Sequence, residues 1–421
     1  MDATERSIVG MTTTGHALVH TFELSIPVLI SSWVAQFDVT LSTIGLVVGA
    51  GYALFGFGSL PAGLLSDRYP TKPLIAACFA GMSLAFLAIS LAPTLPVLVI
   101  ALLCWGLAAS IYHPVGLSII SRGVSQQGKA LGYHGIAGNI GIALGPLVTL
   151  ILVSAFDWRV AAAALAIPGL IAVPLILRLG IDEGEIPGAG GVASSGDSSG
   201  GSAAAGSGDP AAANGGISLS GFGQLARRTF SGLFVIVFII VVFEGLYYRG
   251  ALTFLPDLLG DFSTFDTVDF FGQQLDPSRY LYVGLLTVGI GGQYAGGWLS
   301  DRIDPTVGVT VAFVALATIA LLFIPAATAG LVPLVLVSVL LGFVIFGEQP
   351  LLQAAVAQHS TADTRGSSYG FMYAGVFGVG ALGAVVTGFL LTYASPSALF
   401  GFLALIALSA AATAVFLYTR M

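Results

Sequence analysis

The strongest constraint on this chain is a succession of long apolar runs that cover most of its 421 residues. A helix of about 20 mostly apolar residues crosses the hydrocarbon core of a bilayer with its backbone groups bonded internally. Only 8% of the residues are charged, against roughly 25% in soluble domains, so lipid is the expected solvent. The sequence therefore predicts an all-α integral membrane protein with twelve transmembrane helices, near 14–37, 43–65, 73–93, 95–120, 130–154, 159–180, 229–256, 279–300, 307–327, 331–357, 367–393 and 397–419.

Basic residues are distributed unevenly between the two predicted sides of the membrane. With the N-terminus in the cytoplasm, eleven of the 14 Lys and Arg residues fall on the cytoplasmic side. Such a bias predicts that both termini are cytoplasmic. Residues 1–14 are polar and precede a helix-length run, which does not match a cleavable signal peptide. We therefore expect a multi-pass protein of the plasma membrane.

The chain divides into two similar halves. Residues 182–220 are rich in Gly, Ser and Ala, a composition typical of a flexible linker, and they separate six predicted spans (1–181) from six others (221–421). Short stretches recur in the same order in both halves: "FEL" and "FEG" (22–24, 243–245), "GLLSDR" and "GWLSDR" (63–68, 297–302), "YHP" and "EQP" (112–114, 348–350). Two pseudo-symmetric six-helix bundles of this kind are typical of secondary transporters. Residues 257–279 are predicted to form a solvated outer loop.

One of the repeated stretches resembles a family motif. "GLLSDRYPTK" is similar to the loop between helices 2 and 3 of the major facilitator superfamily, and the matching residues are Gly63, Asp67, Arg68 and Lys72. Pro70 and Thr71 depart from the motif. The copy in the second half keeps Gly297, Asp301 and Arg302.

The fifth span also resembles that superfamily. Its antiporter pattern is matched by Gly132, Gly141, Gly145 and Pro146, although Thr149 and Leu150 replace the final glycine pair. "GLAASIYHPVG" and "GNIGIALGPL" look like the fosmidomycin-resistance branch of efflux proteins, which also has a Gly-His pair in helix 1. The acid that this branch usually carries four residues later is replaced here by His20. The resemblance implies a monomeric exporter whose helices 1, 4, 7 and 10 line a central cavity.

Three polar side chains share one face of the first span. His16, His20 and Glu23 are spaced i, i+4 and i+7. Pro27 has no N–H for the carbonyl of Glu23, which leaves that oxygen free. A charge at the centre of a spanning helix costs roughly 2.5–3.5 kcal/mol, so this face needs a cavity or a partner. We expect a proton-coupling or substrate site here, with His16 nearer the cytoplasmic end.

Three other spans contribute further polar candidates for the same cavity: Tyr112 and His113 in span 4, Glu244, Tyr248 and Arg249 in span 7, Glu348 and Gln349 in span 10. Arg249 lies five residues after Glu244 and so faces another way. It could bind an anion, pair with Glu23 or Asp257, or extend to the outer interface.

Charged residues at the cytoplasmic helix ends are candidates for a gate: Asp67, Arg68, Lys72, Arg122, Asp301 and Arg302. Gly141, Gly145 and Pro146 allow close helix approach and bending. For these three residues the sequence does not separate gating from simple tight packing.

These features favour a secondary transporter that exports a small organic solute in exchange for protons. A proton- or sodium-coupled importer and a non-transporting membrane sensor remain alternatives. The sequence has no HExxH, GxSxG or P-loop lysine motif, so an enzyme is not expected. The expected partners are a small-molecule substrate, a coupling ion, most simply the proton, and the lipid bilayer. Neither a cofactor or metal nor a nucleic-acid partner is expected.

Overall fold

Helices make up nearly all of the regular structure in the computed structural model, which describes residues 1–66, 68–181, 219–230, 232–262, 268–270, 273–275, 277–360 and 365–421. The first half contains α1 (Ala3–Phe37), α2 (Leu41–Phe57), α3 (Ser59–Ser66), α4 (Thr71–Ser90), α5 (Leu95–Ala109), α6 (Tyr112–Gly123), α7 (Gln127–Ala155) and α8 (Trp158–Leu177).

The second half begins with a short helix, and a two-stranded antiparallel sheet lies between two of its later helices. Its elements are α9 (Leu219–Thr229), α10 (Phe234–Leu252), α11 (Leu255–Gly260), β1 (Val268–Phe270), β2 (Gln273–Leu275), α12 (Pro277–Ser300), α13 (Pro305–Ala329), α14 (Leu331–Gln358), α15 (Arg365–Tyr373), a π-helical segment (Ala374–Val379), α16 (Leu382–Tyr393) and α17 (Pro396–Tyr418). β1 pairs with β2 in the register Val268 to Leu275.

The helix α1 begins eleven residues before the predicted start of the first span. Asp2 accepts a hydrogen bond from the backbone N–H of Glu5, and Glu5 accepts one from that of Asp2, which is a capping box. The Glu5 carboxylate also accepts the N–H of Ser125 at 2.6 Å, which ties this end to the α6–α7 connection. Residues 3–14 are therefore helical, and their polar character reflects a capped helix end.

Eleven of the twelve predicted spans correspond to helical segments in the described part of the chain. Single helices or runs of two or three consecutive helical elements give eleven segments that are long and apolar enough to cross a membrane. The predicted span at 279–300 is helical as α12, 24 residues long, but it is not among those segments. Glycines and polar residues such as Gln293 lower its mean hydropathy.

The predicted loop at 257–279 is partly wrong. Its first residues continue α11 to Gly260, and strands β1 and β2 follow. Of the predicted linker at 182–220, residues 219 and 220 already belong to α9, and the rest lies outside the described residues.

Span 4 is divided into α5 and α6 around Ser110 and Ile111. Pro114 explains the division, because its ring nitrogen has no hydrogen to donate to the Ser110 carbonyl four residues earlier. Because α6 begins at Tyr112, His113 lies in its first turn, directly after the break.

Buried apolar side chains form two clusters. One draws on residues 8–181 together with Phe254 and Ala381. The other draws on residues 234–417 together with four side chains of the first half, Leu24, Val28, Ile142 and Leu150. Each half thus has its own core, and the surface between the cores is where the polar candidates meet.

Candidate functional site

A cavity of about 260 Å³ lies between the two halves. Its walls come from α1, α6 and α7 on one side and from α10, α12, α14, α15 and the π-helical segment on the other. The polar and aromatic lining residues are His16, His20, His113, His134, Asn139, Glu244, Tyr248, Gln293, Phe346, Gln349, Gln353, Tyr373 and Phe377. Spans 1, 4, 7 and 10 therefore each contribute side chains to this cavity.

The three polar residues of α1 form one continuous chain of contacts. Nδ1 of His16 lies 2.7 Å from the carbonyl oxygen of His134, and Nε2 of His16 lies 3.1 Å from Nε2 of His20. Nδ1 of His20 lies 2.7 Å from the Glu23 carboxylate. Because α1 begins at Ala3, His16 lies roughly 20 Å along the helix and not near its end.

A buried ion pair continues this chain into the second half. The Arg249 guanidinium donates to the Glu23 carboxylate, and the two side chains are 3% and 0% exposed. The guanidinium carbon also lies 3.7 Å from the centre of the Tyr52 ring. The sequence left several roles open for Arg249. In the structure it pairs with Glu23, and the alternative that it extends to the outer interface is wrong.

Tyr52 also accounts for the backbone oxygen that Pro27 leaves free. Its hydroxyl donates to the carbonyl of Glu23 at 3.3 Å. The same ring therefore stacks on Arg249 and binds the backbone of Glu23, which holds both members of the ion pair in place.

Tyr112 lies behind the cavity wall. It is buried, and its hydroxyl donates to the carbonyl oxygen of Thr12. Since that proton is already used, Nε2 of His134, 3.1 Å from the hydroxyl oxygen, has to be the donor to it. Tyr112 thus orients His134 and is absent from the cavity lining.

His113 enters the cavity between aromatic rings of the other half. Its ring centre lies 5.0 Å from that of Tyr373 and 6.0 Å from that of Phe377, in nearly parallel planes. The side chain is 4% exposed, and neither ring nitrogen has a hydrogen-bond partner among the described residues. The wide π turn between Ala374 and Val379 brings Phe377 into this position, a backbone form often found at functional sites.

Two carboxyl groups lie on the side of the second half. Glu244 lines the cavity at 5% exposure, whereas Glu348 is 1% exposed and lies behind it, with the neighbouring Gln349 in the lining. Each carboxyl has one oxygen without a hydrogen-bond partner in the described part of the chain, and the two groups interact electrostatically.

The candidate gate residues lie away from the cavity. Lys72 donates to the carbonyl of Leu179 at 3.1 Å, Arg122 to that of Ser118 at 3.4 Å, and Arg302 to that of Trp298 at 2.8 Å. Arg68 and Asp301 are exposed, and Asp67 lies outside the described residues. A gating role for these residues stays a prediction.

The glycines of α7 lie directly against α1. A methyl group added at Gly141 would lie 2.9 Å from the carbonyl carbon of Ala17, and one at Gly145 would lie 2.7 Å from Cα of Thr21. Pro146 is buried within α7. This close approach positions the face of α1 that carries His16 and His20.

Several residues that line the cavity or support the ion pair were not among the sequence candidates. Gln293 is a glutamine within a predicted span, which is a signal that could have identified it. Tyr373 and Phe377 carry no such signal, because aromatic residues in a spanning helix usually pack against neighbours or lipid. Tyr52 is likewise indistinguishable from a core tyrosine in the sequence.

Comparison with known proteins agrees with this architecture. The chain matches the Major Facilitator Superfamily over residues 13–380 and belongs to that family. A "Probable sugar efflux transporter" of Helicobacter pylori strain P12 is 30% identical over 137 residues, which is 32% of this chain and 35% of the relative. The match therefore spans about a third of that relative's length.

Solved transporter structures share the fold at low sequence identity. A bacterial homolog of the human lysosomal transporter Spinster, inward-facing and occupied, has a TM-score of 0.75 at 15% identity and covers 100% of this chain and 98% of its own. The peptide transporter POT in complex with sulfate has a TM-score of 0.74 at 13% identity, with 98% and 94% coverage. The chain is accordingly a multi-pass membrane protein of a transporter family, and this assignment points away from an enzyme.

Proposed function

We propose that this protein exports a small neutral polyhydroxy solute of the sugar class in exchange for protons, by alternating access of two six-helix bundles. In this proposal α12 is the twelfth span, residues 182–220 link the bundles, and both termini lie on the cytoplasmic face of the plasma membrane. The protein would act as a monomer. One observation carries the proposal: a solute-sized polar cavity is built from both halves of the chain.

The cavity's size and chemistry support this solute class. Its volume of about 260 Å³ is below the range of about 300–1,000 Å³ typical of sites for drug-sized ligands. The amides of Gln293, Gln349 and Gln353 both donate and accept, as hydroxyl groups require, while Tyr373 and Phe377 offer flat apolar faces. The charge of Arg249 is neutralised by Glu23. A neutral solute with many hydroxyl groups fits this lining better than a charged one.

Glu244 is the best candidate for the group that binds and releases the coupling proton. It lines the cavity and has a carboxyl oxygen without a hydrogen-bond partner among the described residues, so a solute hydroxyl and a proton could compete for it. Glu23, in contrast, is held by Arg249 and His20. In the proposed mechanism Glu23 supplies a fixed charge between the halves, and Glu244 gains and loses the proton.

One end of the interface between the halves is tightly packed. The N–H of Ser42 donates to Thr392 across the halves at 2.8 Å, and a methyl group added at Gly45 would lie 3.3 Å from Cα of Gly388. Toward the other end the cavity lining extends to Leu117 and Leu131, in the parts of α6 and α7 that lead to their connection, which Arg122 and Lys129 flank. This asymmetry supports a state open toward the predicted cytoplasmic side.

Export is the favoured direction for two reasons. The α7 residues Gly141, Gly145 and Pro146 follow the antiporter pattern, and the "GLAASIYHPVG" stretch resembles efflux proteins of the fosmidomycin-resistance branch. The name of the Helicobacter pylori relative agrees with sugar efflux, and the match covers about a third of that relative's length.

Solute counterflow tests the proposal without requiring a gradient. Proteoliposomes are loaded with one unlabelled solute from a panel of pentoses, hexoses, disaccharides and charged organic solutes. Those loaded with a sugar should transiently accumulate the same sugar in labelled form. Gln349→Leu should reduce the rate at least tenfold, and Gln36→Leu, which changes an exposed glutamine outside the cavity, should not. Counterflow of charged solutes only would refute the sugar class. Absence of counterflow for every solute would favour a sensor.

A further inference from the structure

We propose that His16, His20 and His113 form a binding site for a divalent transition-metal cation such as Zn²⁺ on the cavity wall. The three side chains each offer a ring nitrogen, and these atoms lie within 4.8 Å of one another. The site belongs entirely to α1 and α6 of the first half. Its existence does not depend on the solute or on the direction of transport.

The hydrogen bonds on the far sides of two rings determine which nitrogens are available. A carbonyl oxygen only accepts, so His16 must carry its proton on Nδ1 to bind that of His134 at 2.7 Å. His20 must likewise carry a proton on Nδ1 to bind the Glu23 carboxylate at 2.7 Å. In the neutral imidazole each Nε2 then has only a lone pair, and the two lone pairs face each other at 3.1 Å.

This arrangement is unfavourable unless a cation lies between the two atoms. Zinc–nitrogen bonds of about 2.0–2.1 Å in a tetrahedral site place neighbouring nitrogens roughly 3.3 Å apart, close to the observed spacing. A backbone carbonyl and a carboxylate on the outer nitrogens are also the partners that commonly orient metal-binding histidines. Neutral imidazole is a preferred ligand for Zn²⁺, Ni²⁺ and Cu²⁺.

The surroundings of His113 distinguish a bound metal ion from a proton shared between His16 and His20. A proton shared between His16 and His20 would satisfy those two rings. Both nitrogens of His113, which is 4% exposed, would still have no partner in the described part of the chain. A metal ion gives one of them a partner, after an approach of roughly 1.5 Å toward ideal ligand spacing. His134 is excluded as a ligand through Nε2, because that nitrogen donates to Tyr112.

Three histidine ligands leave a fourth position of a tetrahedral ion open, as in catalytic zinc sites. All three side chains line the cavity, so this position faces the space in which a solute would bind. A hydroxyl or carboxylate oxygen of the solute, or a water molecule, could complete the coordination.

Cobalt titration tests the site directly. The full chain, purified in detergent without a histidine tag and treated with a chelator, should bind one Co²⁺ with the intense visible absorption of tetrahedral coordination, and Zn²⁺ should displace it. His16→Ala, His20→Ala and His113→Ala should each weaken binding at least tenfold. His359→Ala is the matched control, because this fifth histidine lies at the end of α14 and outside the cavity lining, and it should bind like wild type.

Thermal unfolding of the wild-type chain gives a second measurement that does not require the variants to fold. A cation that binds only the native state raises the melting temperature as its concentration rises above Kd. Zn²⁺ should therefore raise it, whereas Mg²⁺ at the same concentration should not. Lack of one-to-one Co²⁺ binding, or unchanged binding in a folded His113→Ala variant, would overturn the proposal and leave a shared proton between His16 and His20.

Discussion

The ion pair between Glu23 and Arg249 allows the most quantitative prediction for this fold. Both side chains are almost fully buried and they belong to different halves of the chain. Removing one partner of a buried pair typically costs about 3–5 kcal/mol, because the remaining charge has no compensation. Glu23→Gln and Arg249→Met should each destabilise the protein by about that amount. The double variant should cost clearly less than the sum, because it leaves no unpaired charge.

The assay is thermal unfolding in detergent, followed by intrinsic fluorescence. For a chain of this size a change of 1 kcal/mol shifts the melting temperature by about 2 °C, so each single variant should melt about 6–10 °C lower. Asp261→Asn and Arg178→Met are matched controls at exposed positions and should change stability by less than about 0.5 kcal/mol. The reasoning would be refuted by additive losses in the double variant, or by single variants that melt with the wild type.

Three further variants test other parts of the structure. Gly141→Ala should destabilise the protein by about 1–3 kcal/mol in the same melting assay, because the added methyl group would clash with the backbone of Ala17. Gly132→Ala should not, because a methyl group there would have nothing within 4 Å. Equal effects of the two substitutions would contradict the close α1–α7 packing. Tyr112→Phe should cost about 1–3 kcal/mol, because Nε2 of His134 loses its acceptor and the Thr12 carbonyl, which lies within α1, loses its second donor. The exposed Tyr133→Phe should be neutral, and a neutral Tyr112→Phe would remove the basis for the His134 assignment. Cysteines at positions 42 and 392, in a chain without Cys78 and Cys104, should form a cross-link on oxidation. The cross-link should stop counterflow until it is reduced. Full counterflow in the cross-linked protein would argue against opening of the packed end at Ser42 and Thr392.

The polar face of α1 could be predicted from the sequence because buried polar residues in lipid need partners. The spacing of His16, His20 and Glu23 on one helix face is enough to predict that they share surroundings. The same argument brings Arg249 into the cavity region, since an arginine within a span requires an acid or the interface. The choice of Glu23 as its partner, however, depends on how the two halves pack, and no local pattern encodes that.

Other parts of the site depend on the backbone. The π turn at Ala374–Val379 has no sequence signal of its own, yet it places Phe377 against His113. The start of α1 could have been read from Asp2 and Glu5, whose spacing is that of a capping box. The sequence predicts α12 as a span but not its place at the cavity, because small and polar residues such as Gln293 only lower its hydropathy and do not show which way they face.

Coupling between solute and proton is the central claim, and one measurement tests it most directly. Proteoliposomes containing a pH-sensitive dye should show proton movement when a sugar that supports counterflow is added. Glu244→Gln should abolish the proton movement but keep the counterflow, while Asp261→Asn should keep both. Sugar-dependent proton movement at the wild-type rate in Glu244→Gln would contradict the assignment of Glu244. Counterflow without any proton movement in the wild type would contradict proton coupling itself.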